Sequence, residues 1–146
     1  MRKVTPVPLP DKAPEIKKRE PSLEPPQRKL ARILVVEDDS SVRNLMCSLL
    51  EDYQVGTAED GAKGLELFKS GRFDLVVTDL KMPKLGGMEL LAEIKVMNPD
   101  AKVIVMSGAM DENTKRILLE MGAEVVLEKP LGIMEISDQV AKLLPN

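Results

Sequence analysis

From Ala31 onward the chain alternates between short unbroken apolar runs and segments whose apolar residues recur every three or four positions. Ile33-Leu34-Val35-Val36 is the first run, and an uninterrupted apolar stretch of that length suits a strand buried on both faces. Ser40 and Ser41 read as N-caps. After them Val42, Leu45, Met46, Leu49 and Leu50 fall on one face of a helix. Residues 55–58 read as a second, weaker strand. Residues 60–70 read as a helix with Ala62, Leu65 and Phe68 inward, stopped by Gly71. Residues 73–78 are the third strand. The helix after Gly86-Gly87 carries Met88, Leu91 and Ile94 and ends before Pro99. Residues 103–106 form the fourth strand, and Asp111 caps a helix bearing Ile117, Leu118 and Met121 that Gly122 closes. Residues 125–127 are the fifth strand, followed by a last helix carrying Ile133, Ile136, Val140 and Leu144.

Apolar strands joined by helical crossovers predict a parallel sheet covered on both faces, and right-handed crossovers make it a doubly wound α/β sheet of five strands and five helices. Such sheets bind ligands at the carboxyl ends of their strands. The first strand here ends in Glu37-Asp38-Asp39, the third in Asp79, the fourth in Ser107 and the fifth in Lys129-Pro130. The second ends in nothing chemical. Taken singly, each of these is an ordinary solvated strand end, and the acidic triplet is an ordinary complement to a helix dipole. Together they put several carboxylates, a hydroxyl and a lysine on one rim.

Composition narrows the chemistry that this rim can perform. The 146 residues include no histidine, which removes histidine bases, Ser/His/Asp triads and His-containing zinc sites. The single cysteine, Cys47, rules out an intramolecular disulfide and reads as a small filler or quiet thiol on the flank of the first helix. Seven of the eleven prolines lie in the first 26 residues. Residues 1–29, with eight Lys/Arg against four Asp/Glu, are therefore expected to be an extended, mostly disordered basic tail. Residues 30–146 form the domain and hold thirteen Lys/Arg against twenty Asp/Glu, a balance that disfavours direct nucleic-acid binding and tolerates a cation. Neither a signal peptide nor a membrane span is visible, so a cytoplasmic location is expected.

Two carboxylates ~5 Å apart repel by roughly 3 kcal/mol at an effective dielectric near 20. A cluster of them raises its pKa values or collects a cation. An all-oxygen donor set suits magnesium better than zinc or copper. Aspartate can itself carry a phosphoryl group covalently, and magnesium beside a lysine and a hydroxyl can neutralise that group in transfer.

The segments ILVVEDDSSVR at 33–43, VVTDLKMPKLGG at 76–87, VIVMSG at 103–108 and GAEVVLEKP at 122–130 resemble the receiver domains of two-component response regulators. The likeness covers about residues 31–144. It implies a flavodoxin-like sheet of strand order 2-1-3-4-5. It implies that Glu37 and Asp38 hold Mg2+, with Asp38 the closer ligand and Asp39 variable. Asp79 is then the phosphoacceptor and a metal ligand, and the backbone carbonyl of Lys81 a further ligand. Ser107 corresponds to the switch hydroxyl, Lys129 to the phosphate-pairing lysine and the bond before Pro130 to a cis peptide. The partner implied is a sensor histidine kinase or a histidine phosphotransfer protein, with an unknown downstream protein beyond it. A second copy of the chain is among the candidates for the face of the fourth and last helices.

This reading expects a signalling phosphoacceptor that assists its own phosphorylation and dephosphorylation, rather than an enzyme. Only Pro145-Asn146 follow the last helix, so no attached C-terminal effector is expected. A haloacid-dehalogenase-like phosphohydrolase would need an acid two positions after Asp79, where Lys81 stands. A flavodoxin-type cofactor protein would need a Ser/Thr/Gly-rich phosphate loop after the first strand. A structural receiver-like interaction domain would not need this complement of rim residues. One departure from the family is clear: the aromatic that many receivers carry three residues before the lysine is Val126.

Overall fold

The computed structural model describes residues 30–144, so the tail expected at 1–29 lies outside the described residues. Five strands, β1 (Arg32–Val36), β2 (Gln54–Ala58), β3 (Leu75–Asp79), β4 (Lys102–Ser107) and β5 (Val125–Glu128), pair in parallel in the order β2-β1-β3-β4-β5. The crossovers are α1 (Ser40–Leu49), α2 (Gly61–Ser70), α3 (Gly87–Met97) and α4 (Glu112–Glu120); α5 (Leu131–Met134) and α6 (Ile136–Leu143) follow β5. The order reverses at β1, which lies between β2 and β3, so the crevice between β1 and β3 opens at their carboxyl ends.

Alternate residues of each strand feed two cores. Leu34, Val36, Val76, Val103 and Val105 pack on one face with Phe68 of α2, Leu90, Leu91 and Ile94 of α3 and Leu118 of α4. Ile33, Val35, Leu75, Val77, Ile104 and Met106 pack on the other with Met46 of α1 and Ile136 and Val140 of α6. Burial on both faces explains why β1, β3 and β4 are continuous apolar runs.

Several local expectations change. The N-cap of α1 is Asp39, whose Oδ1 accepts the N–H groups of Ser41 (2.8 Å) and Val42 (3.3 Å), rather than Ser40 or Ser41. A carboxylate accepts the orphan amides and also opposes the positive end of the helix dipole, an advantage a hydroxyl lacks. Met46 and Leu50 are buried, whereas Leu45 is exposed. Helix α2 turns Gly61, Gly64 and Phe68 inward and leaves Ala62 exposed. A Cβ on Gly64 would lie 2.8 Å from Val36 Cγ2, so this helix approaches β1 closely through Gly64 rather than through alanine. In α3, Gly87 and Leu90 join Leu91 and Ile94 on the buried face. The single last helix is broken. The Ile133 and Glu135 N–H groups reach carbonyls three residues back, on Pro130 and Gly132, a tight 3₁₀-type closure that separates α5 from α6.

Among the described residues no helix is long and apolar enough to cross a membrane.

Candidate functional site

The carboxyl rim is built on backbone ladders that leave little freedom. The Glu37 N–H donates to Ala58 O (3.0 Å), which extends the β1–β2 pairing one residue past the strand. Leu80 N–H donates to Met106 O (2.8 Å) and Lys129 N–H to Ser107 O (2.9 Å), which do the same for β3–β4 and β4–β5. Glu37, Asp79, Ser107 and Lys129 are therefore placed by sheet register.

Glu37 and Asp79 are buried, and Asp38 is exposed. One carboxylate oxygen from each of Glu37, Asp38 and Asp79 lies within 4.8 Å of the others. The Lys129 ammonium bridges two of them, donating to Glu37 Oε1 at 2.8 Å and lying 3.1 Å from Asp79 Oδ2. Asp79 Oδ1 accepts the Leu80 N–H at 2.9 Å. Burial pushes the Glu37 carboxyl above its usual range, even though Lys129 and the Asp39 N–H both stabilise its anion. Burial acts to lower the Lys129 amine, but its bonds to Glu37 and Asp79 outweigh that and hold it above its ordinary value.

Three carboxylates against one ammonium leave the ionised cluster negative. Its donors are all hard oxygens, with no sulfur or imidazole among them, and they fit a magnesium-like cation.

The other sequence-derived candidates stand around this cluster. Lys81 is exposed in the loop after β3. Ser107 is buried at the end of β4, and its hydroxyl is turned toward the next loop: it donates to Ala109 O (3.0 Å) and accepts the Ala109 N–H (3.3 Å). The Lys129–Pro130 peptide is cis. Val126 is half-buried and packs against the core that contains Val103 and Leu118. Cys47 is half-buried, and burial pushes its thiol up against the opposing pull of Arg43.

Sequence reasoning gave no role to Arg43, whose Nη1 donates to the Glu37 carbonyl at 2.7 Å. Its signal was present, since a cation four residues after Asp39 lies one helical turn above the acidic run. Gly87 opens α3. Its Cβ would lie 2.3 Å from the Asp79 carbonyl oxygen, so glycine is required there because α3 starts directly against the backbone of Asp79.

The family model for the response regulator receiver domain matches residues 33–141. Sporulation initiation phosphotransferase F of Bacillus subtilis is 34% identical over 116 residues, 78% of this chain and 94% of that protein. Response regulator MprA of Mycolicibacterium vanbaalenii is 36% identical over 77% of this chain, which spans only 50% of that longer regulator. A crystal structure of a response regulator receiver domain protein from Clostridium thermocellum superposes with a TM-score of 0.72 at 36% identity, covering 78% of this chain and 94% of its own. With the sheet order, the rim and the match across 33–141 in agreement, the chain belongs to the receiver domains of two-component response regulators.

Proposed function

We propose that this receiver accepts a phosphoryl group onto Asp79 from a phosphohistidine on a partner protein, a sensor histidine kinase or a histidine phosphotransfer protein. The observation that carries the reading is the convergence of Glu37, Asp38 and Asp79 within 4.8 Å, with the Lys129 ammonium beside two of them. A lone structural ion pair has no use for the third carboxylate. The donor histidine lies on the partner, which agrees with a chain that has none.

In the transfer, the P–N bond of the partner phosphohistidine breaks and a P–O bond forms to an Asp79 carboxylate oxygen. Glu37, Asp38, Asp79 and the carbonyl of Lys81 would hold Mg2+. When bound, that ion neutralises the charge that the phosphoryl oxygens carry in transfer. Lys129 exchanges part of its contact with Asp79 for a phosphoryl oxygen. The Ser107 hydroxyl releases Ala109 and donates to another. The chain then acts as a signalling phosphoacceptor, not as an enzyme with a turned-over substrate. The Bacillus relative, 94% of which this chain matches, is named a phosphotransferase, which supports a relay role.

Acetyl phosphate with Mg2+, read by intact mass, tests the proposal. A single hydroxylamine-labile phosphoryl adduct that Asp79→Asn abolishes is expected. Undiminished labelling of that variant refutes it.

A further inference from the structure

We propose that Arg43 is a positioning residue for the metal-binding acidic turn: its guanidinium pins the peptide between Glu37 and Asp38, and so aims Asp38. The inference rests on the reading of Glu37 and Asp38 as the metal-holding pair.

Asp38 is the exposed member of the cluster, and the side-chain contacts of its turn run to the residues on either side of it. Glu37 is held by its N–H on Ala58 O, by its Oε1 on Lys129, and by its Oε2 on the Asp39 N–H at 3.1 Å. Asp39 is held as the cap of α1, and its own carbonyl accepts the Arg43 N–H at 2.9 Å. Between these two anchors the Glu37 carbonyl lies in the peptide plane that leads into Asp38. Arg43 Nη1 donates to that carbonyl at 2.7 Å, from a half-buried side chain that folds back over the first turn of α1. A charge-assisted bond of this length is among the stronger protein hydrogen bonds. It closes a ring from residue 37 to residue 43 with Asp38 at its open apex. Groups that orient metal ligands without touching the metal typically set its affinity by about ten- to a hundredfold when removed.

Two effects of Arg43 on a cation oppose each other, and their signs separate them. A guanidinium near a cation site repels the cation, so if charge were its whole influence, removing it would tighten metal binding. If its hydrogen bond aims Asp38, removing it loosens metal binding.

Mn2+ alone, followed by the electron paramagnetic resonance of the free ion with Mg2+ as competitor, would be titrated into the full-length chain and into Arg43→Ala, Arg43→Gln and Asp38→Ala. Arg43→Ala is expected to weaken Mn2+ binding about tenfold. Arg43→Gln, which keeps an N–H donor without the charge, is expected to recover part of that loss. In acetyl phosphate labelling, the Mg2+ concentration for half-maximal rate rises in Arg43→Ala while the rate at saturating Mg2+ is preserved. Unchanged or tighter Mn2+ binding in Arg43→Ala, with binding lost in Asp38→Ala, overturns the role of Arg43 and leaves the metal pair standing. Unchanged binding in Asp38→Ala overturns the metal pair itself. Should Arg43→Ala fail to fold, Arg43→Gln alone decides, since binding as tight as or tighter than the parent chain's contradicts the proposal.

Discussion

Two lysine–glutamate pairs sit at opposite rims of the same sheet and are wired in opposite ways. At the amino rim Lys95 of α3 donates to Ala101 O at 2.6 Å and to Glu124 Oε2 at 3.3 Å, and the second oxygen of Glu124 accepts the Val103 N–H at 2.7 Å. Each charge there ends on the backbone, and together they tie the end of α3 to the starts of β4 and β5. At the carboxyl rim Lys129 also meets a glutamate, at 2.8 Å, but shares itself with Asp79, and Asp38 stands close by. The first pair is saturated by its neighbours, and the second leaves like charges facing one another. The same two residue types thus serve to fasten loops in one place and to hold a cluster in need of a cation in the other. What distinguishes the rims is the number of carboxylates that must share one ammonium.

The sharpest way to break this contrast is to remove a charge at each rim. Asp79→Asn removes all phosphoryl labelling if the carboxyl rim is for chemistry. It relieves the repulsion that Asp79 exerts on the buried Glu37 and gives up the pairing of Asp79 with Lys129, two effects of opposite sign, so the metal-free melting midpoint is expected to stay close to the parent's. Lys95→Met at the amino rim leaves labelling intact and costs about 1.5–3 kcal/mol, the usual worth of hydrogen bonds to a charged group. Urea unfolding of both variants checks this. A destabilised Asp79→Asn with an unaffected Lys95→Met would reverse the assignment of the two rims.

The next effect is smaller and divides adjacent residues. Asp39 accepts two amide N–H groups as the cap of α1, whereas Asp38 belongs to the acidic cluster. Asp39→Ala should therefore lower stability by about 1 kcal/mol and leave Mg2+ affinity nearly unchanged. Asp38→Ala should leave stability nearly unchanged and weaken Mg2+ binding. In thermal melts, added Mg2+ should raise the midpoint of the parent chain and of Asp39→Ala, and that of Asp38→Ala much less. Equal responses would merge the roles that the capping geometry separates.

Those adjacent residues also mark how much was legible in the sequence. Strands β1, β3 and β4 could be read because burial on both faces leaves them apolar throughout. The rim residues could be read because strands end where polar residues begin. Residue type alone could not separate the cap from the cluster: three consecutive acids look alike until the helix starts, the resemblance set Asp39 apart from the pair without giving it a role, and the backbone shows that it is Asp39 that points back at its own amides. The packing face of α2 was misread for a related reason. Apolar periodicity weights Ala62 and gives no weight to Gly61 and Gly64, yet the absence of a side chain is what admits Leu85 against Gly61 and Val36 against Gly64. The spacing of Arg43 from the acidic run was visible in the sequence, but its partner was not, because that partner is a backbone carbonyl and leaves no complementary residue type.

The smallest expected effect lies at the edge of the sheet, beyond the carboxyl rim, where the proposed phosphorylation of Asp79 would reach a partner. Ser107 is already held by the Ala109 backbone, so its release would free the loop between β4 and α4 directly. In receivers with an aromatic on the last strand, ring movement amplifies that release. Here the position is Val126, beside Met110, Leu127 and Gly132 in a cleft of about 340 Å³. A β-branched side chain with one torsion has few rotamers to exchange and cannot sweep such a cleft. The change at β5 and α6 should therefore be muted, while the loop at Gly108-Ala109 should respond more once Ser107 lets go, since nothing lies within 4 Å of where a Gly108 Cβ would stand to oppose it. Amide chemical shifts with beryllium fluoride and Mg2+ should change most around Asp79 and in residues 107–110, and only slightly along β5 and α6. Val126→Tyr should enlarge the response of β5 if rotamer range sets it. Shifts along β5 and α6 already as large in the parent chain as those around Asp79 would mean that the carboxyl rim couples to its edge through backbone movement, with Val126 imposing no limit.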